Sequence, residues 1–174
     1  MNITKFAPSI YKKSIFDINY KLLKEKGIKC LIFDFDNTIS SVYKKDTPIK
    51  NLKLLETLKK DFRIIIVSNN FKRKIKPICD KIDIDFISFA LKPLSCSFKR
   101  VLKKYNLSKN EICIIGDQLL SDILGGNLFG SMTILIDPLS AKDLTVTKLN
   151  RCIENKIINK LEKNNILKRG KYYE

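Results

Sequence analysis

The chain has 174 residues, of which 44% are hydrophobic and 30% are charged, and this composition fits one soluble globular domain. The sequence contains no histidine, which excludes Ser-His-Asp and Cys-His catalysis, histidine phosphatases and metal sites built on imidazole ligands. The formal net charge is +16, and a field of this size attracts phosphorylated substrates, anionic membranes or nucleic acid, although biased codon usage can also produce so lysine-rich a chain.

Short β-branched runs alternate with helical patterns along the chain, which predicts an α/β fold with a mainly parallel sheet and helices on both faces. In chain order, the predicted elements are strand Cys30–Phe35, helix Asn51–Lys60, strand Arg63–Val67, helix Phe71–Ile82 with a break or kink near Pro77, short strand Asp85–Phe89, helix Ser95–Tyr105, strand Ile112–Ile115, helix Leu119–Phe129 and strand Thr133–Ile136. Apart from Asp85–Phe89, the strands are strongly apolar, as expected for strands covered on both faces.

A further helix is predicted at residues 148–163, near the C-terminus. Its apolar residues fall along one helical stripe, which consists of Leu149, Cys152, Ile153, Ile157 and Leu161. The stripe either packs on the core of the protein or lies on an anionic membrane surface, and the sequence leaves both alternatives open.

The cysteines and the distribution of charge indicate where the protein is located in the cell and how its chain is organised. The five cysteines form no C-x-x-C pair, which indicates reduced thiols and a cytoplasmic protein. No apolar run approaches the ~18 residues of a membrane helix, and no signal peptide follows Met1. We therefore expect one domain over residues 1–174, with a basic N-terminal leader at about 1–28 and a basic C-terminal helix and tail at about 148–174. These basic ends suit peripheral attachment to the inner face of the membrane.

The strongest chemical signal follows the first predicted strand, in the sequence Leu-Ile-Phe-Asp-Phe-Asp-Asn-Thr. Side chains two residues apart on an extended chain point the same way, so Asp34, Asp36 and Thr38 should lie together. This place, the carboxyl end of a parallel strand, is where open α/β sheets bind ligands. Two adjacent carboxylates repel each other unless a cation lies between them, and an all-oxygen site indicates Mg²⁺.

Polar residues also follow other predicted strands. Ser68-Asn69-Asn70 comes directly after the second strand, and Gly116-Asp117 comes after Ile112–Ile115, with Asp122 five residues later. Ser68 and the neighbouring backbone amides are suited to hold phosphate oxygens, and Asp117 is suited to complete a metal site. Lys92 can offer a positive charge to the phosphate. Each signal is weak alone, but their order at successive strand ends predicts a phosphate site.

These motifs resemble the four motifs of the haloacid dehalogenase (HAD) superfamily phosphatases. More narrowly, Asp-Phe-Asp-Asn-Thr, Val-Ser-Asn-Asn, Lys-Pro and Gly-Asp-Gln-Leu-Leu-Ser-Asp are similar to those of the YqeG-like subfamily IIIA phosphatases, kin of the mitochondrial phosphatidylglycerophosphate phosphatase. The resemblance runs from about Pro8 to the C-terminus and implies a HAD-like Rossmannoid fold. Asn19, where the family leads us to expect aspartate, is a mild departure.

The resemblance also implies a role for each motif residue. Asp34 would be the nucleophile that forms an aspartyl-phosphate, and Asp36 would be the general acid and then the general base. The implied phosphate-binding residues are Thr38, which also supports its loop, Ser68, Asn69 and Lys92. The implied Mg²⁺ ligands are Asp34, the backbone carbonyl of Asp36, Asp117 and Asp122. Asp122 would bind the ion through water, or it would instead restrain Lys92.

The spacing of the motifs bears on the substrate. There are 29 residues between Thr38 and Ser68 and 21 between Asn70 and Lys92, and one helix and one strand fill most of each gap. We therefore expect no separate cap domain and an open site, unless a second subunit covers it. With the basic ends, an open site favours a lipid phosphate at an anionic membrane, and the resemblance implies phosphatidylglycerophosphate. The alternatives are soluble metabolites, polynucleotide ends, or a basic binding module without catalysis.

Overall fold

The computed structural model of the protein describes residues 2–41, 47–140 and 145–174, with the backbone alone over 145–151. Within these residues, six parallel strands form one sheet in the order β1-β6-β5-β2-β3-β4. The strands are β1 Ile10–Lys12, β2 Cys30–Phe33, β3 Arg63–Val67, β4 Asp85–Ile87, β5 Ile112–Gly116 and β6 Met132–Ile136. The α-helices are α1 Tyr20–Glu25, α2 Ile49–Leu58, α3 Lys72–Ile82, α4 Cys96–Tyr105, α5 Leu124–Phe129 and α6 Thr145–Lys163.

The alternation of side chains along the central strands builds a core on each face of the sheet. Leu31 and Phe33 point to the face that α2 and α3 cover, whereas Cys30 and Ile32 point to the face that α4 covers. All four of these side chains are buried. Full burial of such a side chain contributes about 1.5–3 kcal/mol, so β2 is fixed at the centre of the sheet from both sides.

The predicted α/β fold with helices on both faces is confirmed, and no cap domain interrupts the described residues between the motifs. Two details of the predicted helices differ in the structure. Helix α3 continues through Pro77 without a break, whereas a kink there stays a prediction. The segment predicted as one helix at Leu119–Phe129 begins as a π-helix, Leu119–Ile123, before α5.

The N-terminal residues are part of the core. Strand β1, which the sequence analysis missed, pairs with β6 at the edge of the sheet, and Ile10 and Tyr11 are buried. The Tyr11 amide donates to the Tyr173 carbonyl at 3.1 Å, and the Tyr173 amide donates back to the Tyr11 carbonyl at 2.9 Å. The C-terminal residues thus cover the exposed edge of β1, which would otherwise offer unpaired backbone groups.

Helix α6 packs on the core of the protein through part of the predicted stripe, which was one of the two alternatives that the sequence left open. Ile157, Ile158 and Leu161 are buried in a cluster beside the π-helix, but Cys152 and Ile153 are exposed. The side chain of Leu149 lies outside the described part of the chain. The buried face includes Glu154, whose carboxylate accepts a hydrogen bond from the Leu120 amide at 3.0 Å. A buried carboxylate on this face is not part of the simple apolar pattern on which the prediction was based.

Gly126 allows α5 to lie close to the sheet. A Cβ atom at this position would overlap the Cγ2 methyl of Thr133 and would lie 3.0 Å from Ile114 Cδ1. We expect Gly126→Ala to lower the free energy of unfolding by about 1–3 kcal/mol, because the packed sheet cannot move away freely. Urea unfolding measures this loss. Adding Thr133→Ser removes the overlapping methyl and should recover part of the stability, whereas equal losses in the single and double variants would contradict the packing explanation.

Candidate active site

The carboxyl ends of the strands bring the predicted site residues to one edge of the sheet. Asp34 directly follows β2, and its backbone amide donates to the Ile115 carbonyl of β5 at 2.9 Å, which extends the strand pairing by one residue. Asp117 directly follows β5, and Ser68 directly follows β3. Because these three strands are neighbours in the sheet, their terminal side chains converge.

A tight loop after Asp34 positions Thr38. Asn37 has a φ of 61°, in the left-handed region that asparagine tolerates better than most residues. The Asn37 amide donates to the Ser40 carbonyl at 2.7 Å, and the Ser40 amide donates to the Phe35 carbonyl at 2.9 Å. The loop therefore buries Thr38, whose hydroxyl lies 3.5 Å from Asp117 Oδ1. A contact of Thr38 with substrate phosphate stays a prediction.

Lys92 is the centre of the site. Its ammonium nitrogen lies 2.6 Å from Asp34 Oδ1 and 2.6 Å from Asp122 Oδ1, and all three residues are buried. Burial lowers the pKa of Lys92, but the two carboxylates more than offset this effect, so its pKa is raised and the ammonium is retained. Burial raises the pKa of Asp34, and Asp122 adds to this against the lowering effect of Lys92. The cluster thus holds more negative charge than one ammonium neutralises.

Gly116 and the π-helix hold Asp122 beside Lys92. A Cβ atom at Gly116 would overlap the Asp122 carboxylate, so only glycine leaves room for it. The second carboxylate oxygen of Asp122 accepts a hydrogen bond from the Gln118 amide at 3.1 Å. Asp122 is therefore fixed at both oxygens, and one of them orients the lysine.

The acidic residues of the site fit a divalent metal ion. Carboxylate oxygens of Asp34, Asp117 and Asp122 all lie within 4.8 Å of one another, and all three residues are buried. Carboxylate oxygens are the ligands that Mg²⁺ prefers, and the excess negative charge of the cluster would attract a hard cation. The Asp36 carboxylate is directed elsewhere, so the expected contribution of Asp36 to metal binding concerns its backbone carbonyl alone.

Asp36 is held by α3. Its carboxylate accepts a hydrogen bond from Asn70 Nδ2 at 2.9 Å and forms an ion pair with Lys74. The sequence analysis missed Lys74, which lies in the first turn of α3, close behind the Ser68-Asn69-Asn70 motif. As one of several basic residues in this helix, Lys74 has no sequence pattern that would distinguish it. Together the two side chains fix the orientation of a carboxylate at the entrance of the site.

Asn69 and Ser68 stabilise the backbone around the site. The Asn69 side chain accepts a hydrogen bond from the Lys92 amide at 2.8 Å and donates to the Lys92 carbonyl at 3.1 Å. The Ser68 hydroxyl oxygen accepts a hydrogen bond from the Asn70 amide at 3.1 Å. The Asn69 side chain thus holds the loop that carries Lys92. A role of Ser68 and of the Asn69 backbone amide in phosphate binding stays a prediction.

Comparison with known proteins assigns the family. The family model described as mitochondrial PGP phosphatase, where PGP is phosphatidylglycerophosphate, matches residues 1–139. The chain belongs to this family. It is 36% identical over 159 residues to the Bacillus subtilis (strain 168) protein named "Probable phosphatase YqeG", covering 91% of this chain and 92% of that protein. The expected family and the assignment as a HAD-type phosphatase are confirmed.

A plant relative is more distant. The chain is 28% identical over 143 residues to phosphatidylglycerophosphate phosphatase 1, chloroplastic/mitochondrial, of Arabidopsis thaliana, and the match covers 76% of this chain and 41% of that protein. The cobalt-bound deoxy-D-mannose-octulosonate 8-phosphate phosphatase of Haemophilus influenzae has a similar fold, with a TM-score of 0.53 at 13% identity over 78% of this chain and 90% of that one. At this identity the likeness shows the fold alone.

Among the described residues, no helix is both long enough and apolar enough to span a bilayer.

We expect Mg²⁺ to stabilise the protein against thermal unfolding. An ion bound to the folded state alone, at a concentration of about 100 times its Kd, adds about 2.7 kcal/mol, which raises the Tm of a domain of this size by roughly 5–10 °C. The shift should shrink as the pH falls, because protons compete with the metal for Asp34, whose pKa burial raises. Differential scanning fluorimetry measures both effects.

The matched variant for this measurement is Asp117→Asn, which removes one carboxylate of the cluster and leaves the Lys92 ion pairs in place. Its Tm should respond little to Mg²⁺. An equal Mg²⁺ shift in the variant and the wild type would show that the ion binds at another place.

Proposed function

We propose that the protein hydrolyses phosphomonoesters with Mg²⁺ through an aspartyl-phosphate on Asp34, and that its substrate is phosphatidylglycerophosphate. The observation that carries this proposal is the buried Lys92 ammonium bound to Asp34 and Asp122, beside Asp117. A pure binding protein gains nothing from burying three carboxylates together, since their repulsion is costly. The family and the name of the Arabidopsis relative support the lipid substrate. The site of action would be the cytoplasm, at the inner face of the membrane.

The first chemical step is an attack of Asp34 on phosphorus. A phosphate dianion that approaches an ionised carboxylate is repelled, and Lys92, within 2.6 Å of Asp34 Oδ1, offsets this repulsion. When bound, Mg²⁺ would be held by the acidic cluster and the Asp36 carbonyl, and it would neutralise charge on the phosphoryl oxygens. A bond forms between the Asp34 carboxylate oxygen and phosphorus as the bond from phosphorus to the ester oxygen breaks.

Asp36 is suited to move the protons. Lying two residues beyond Asp34, it would give a proton to the departing ester oxygen as that bond breaks. In the second step a water molecule attacks the aspartyl-phosphate, and the Asp36 carboxylate takes the proton from this water. Phosphate leaves, and Asp34 is regenerated. Asn70 and Lys74 would hold the ionised Asp36 carboxylate in place for the second step, in which it accepts the proton.

Asp34→Asn tests the nucleophile. The amide keeps the size of the side chain but cannot form the acyl-phosphate, so we expect phosphate release to fall by at least about 10³-fold while the fold is retained. The measurement is phosphate release with Mg²⁺ from phosphatidylglycerophosphate in mixed micelles, beside p-nitrophenyl phosphate.

The two substrates separate the parts of the proposal. Turnover of the lipid that depends on Asp34 supports both the reaction and the substrate. Turnover of p-nitrophenyl phosphate alone would keep the phosphatase reaction and reject the lipid, leaving soluble or polynucleotide monoesters. Near-wild-type activity of pure Asp34→Asn would reject the nucleophile.

Lys74→Met tests the positioning of Asp36. Loss of the ion pair frees the carboxylate to rotate, so we expect kcat to fall about tenfold or more with little change in KM. Lys74→Arg should recover much of the rate because it restores the charge. The matched control is Lys76→Met on the same helix, since Lys76 pairs with Asp80 outside the site. Equal kcat values for Lys74→Met and Lys76→Met would show that Lys74 does not act through Asp36.

A further inference from the structure

We propose that the carboxyl edge of the sheet, around the active site, docks onto an anionic lipid bilayer through exposed apolar side chains. The inference rests on the proposed function for the lipid nature of the substrate, but it assigns the contact with the membrane mainly to apolar side chains beside the site, of which only Phe16 lies in the basic N-terminal leader.

The exposed apolar side chains are concentrated at this edge. Among the described residues, ten large hydrophobic side chains are exposed, and seven of them follow the carboxyl ends of strands or begin the next helix there. Scattered apolar side chains are ordinary on protein surfaces, but a group around a functional site marks an interaction surface. Two residues of the apolar stripe predicted for α6, Ile157 and Leu161, are buried in the core, so this part of the stripe cannot contact a membrane.

The largest group, the Lys92 rim, consists of Phe71, Phe89, Leu91 and Leu94. Their exposed fractions are 54%, 56%, 62% and 61%, whereas Lys92 between them is buried. Phe71 and Phe89 contact each other edge to face, with ring centroids 4.9 Å apart. The rim therefore presents exposed apolar side chains on both sides of Lys92 along the chain.

The backbone holds two residues of the rim in place. Phe89 and Leu91 have φ values of 50° and 55°, in the left-handed region that bulky residues rarely adopt. The Ala90 side chain between them is buried, and its amide donates to the Ser68 carbonyl at 3.0 Å. Large apolar residues are thus kept on the surface at positions where asparagine or glycine would fit the backbone better.

A second group lies on the other side of Asp34. Phe16 follows β1, Leu139 follows β6, and Ile49 begins α2, with exposed fractions of 44%, 40% and 69%. Phe16 and Leu139 line a cavity of about 550 Å³ that also reaches Thr38. A flat surface that contacts both groups would therefore lie across the mouth of the site.

Exposed basic residues lie beside both groups and favour an anionic surface, while Asp17 and Asp137 are the carboxylates beside the second group. Lys72 and Arg73 are exposed beside the Lys92 rim, and the Arg73 guanidinium lies 5.5 Å from the centre of the Phe71 ring. Beside the second group, Lys13 is exposed and the Lys50 ammonium lies 5.1 Å from the centre of the Phe16 ring. Apolar side chains flanked by lysine and arginine are typical of surfaces that enter the headgroup region of anionic bilayers. A lipid phosphate in that region would reach Lys92 without leaving the membrane.

The test is co-sedimentation of the full chain with vesicles of phosphatidylglycerol and phosphatidylcholine in equal parts. The apolar variant is Phe89→Asn/Leu91→Asn, because asparagine accepts the left-handed backbone and keeps the loop folded. Its control is Leu128→Asn, which is equally exposed but lies at the opposite edge of the sheet. We expect the double variant to bind about tenfold or more weakly, and the control to bind like the wild type, with equal Tm values confirming the fold.

Removal of one positive charge tests the electrostatic contribution to vesicle binding. Lys72→Gln should weaken vesicle binding about fivefold, and Lys103→Gln, near the other edge of the sheet, should change it little. Wild-type protein should bind vesicles of phosphatidylcholine alone much more weakly. Equal binding by Phe89→Asn/Leu91→Asn and the wild type would overturn the docking surface.

Two further results would also overturn it. One is a wild-type protein that hydrolyses p-nitrophenyl phosphate but does not sediment with the anionic vesicles, and this result leaves the proposed reaction intact. The other is a wild-type protein that forms a dimer and does not bind vesicles, and whose dimer is lost in Phe89→Asn/Leu91→Asn. This result would assign the surface to contact with a second copy of the chain. If the wild-type protein sediments with the anionic vesicles but hydrolyses no phosphomonoester, the docking surface is supported and the proposed reaction is rejected.

Discussion

The site depends on one buried ammonium that binds two carboxylates. Lys92 lies 2.6 Å from both Asp34 and Asp122, and its charge makes their burial tolerable. Removing either partner from such a network leaves an uncompensated buried charge, so the elements that deliver these residues are constrained together. Gly116 makes room for Asp122, and Asn69 fixes the backbone of Lys92. Together with Asp117, these carboxylates form a cluster that is suited to hold a divalent cation.

The sheet places these charges and the surrounding surface. Parallel strands bring their carboxyl ends to one edge, where the chain leaves the core and backbone amides become available. The same edge carries the acidic cluster at its centre and exposed apolar side chains on either side. The N- and C-terminal segments serve the fold: β1 extends the sheet, and Glu154 of α6 binds the start of the π-helix that carries Asp122.

The sequence predicted the site residues that directly follow a buried strand. An apolar run that ends in polar residues identifies a buried strand and its functional end, which located Asp34, Ser68 and Asp117. It did not predict Lys74, because one lysine among many on a basic helix has no distinguishing pattern. For α6 it predicted the buried Ile157 and Leu161 but not the buried Glu154, because a carboxylate breaks the apolar periodicity. Strand β1 was missed because three residues are too short to show alternation.

The central claim is that Asp34 carries the phosphoryl group, and the most direct measurement is chemical trapping of the phosphoenzyme. The protein is mixed with substrate and Mg²⁺, quenched in acid and reduced with borohydride, which converts an aspartyl-phosphate to homoserine. Mass spectrometry of the peptide that contains residue 34 then identifies the site. We expect homoserine at position 34 and unmodified aspartate at position 36. Homoserine at position 36, or active protein without homoserine at either position, would contradict it.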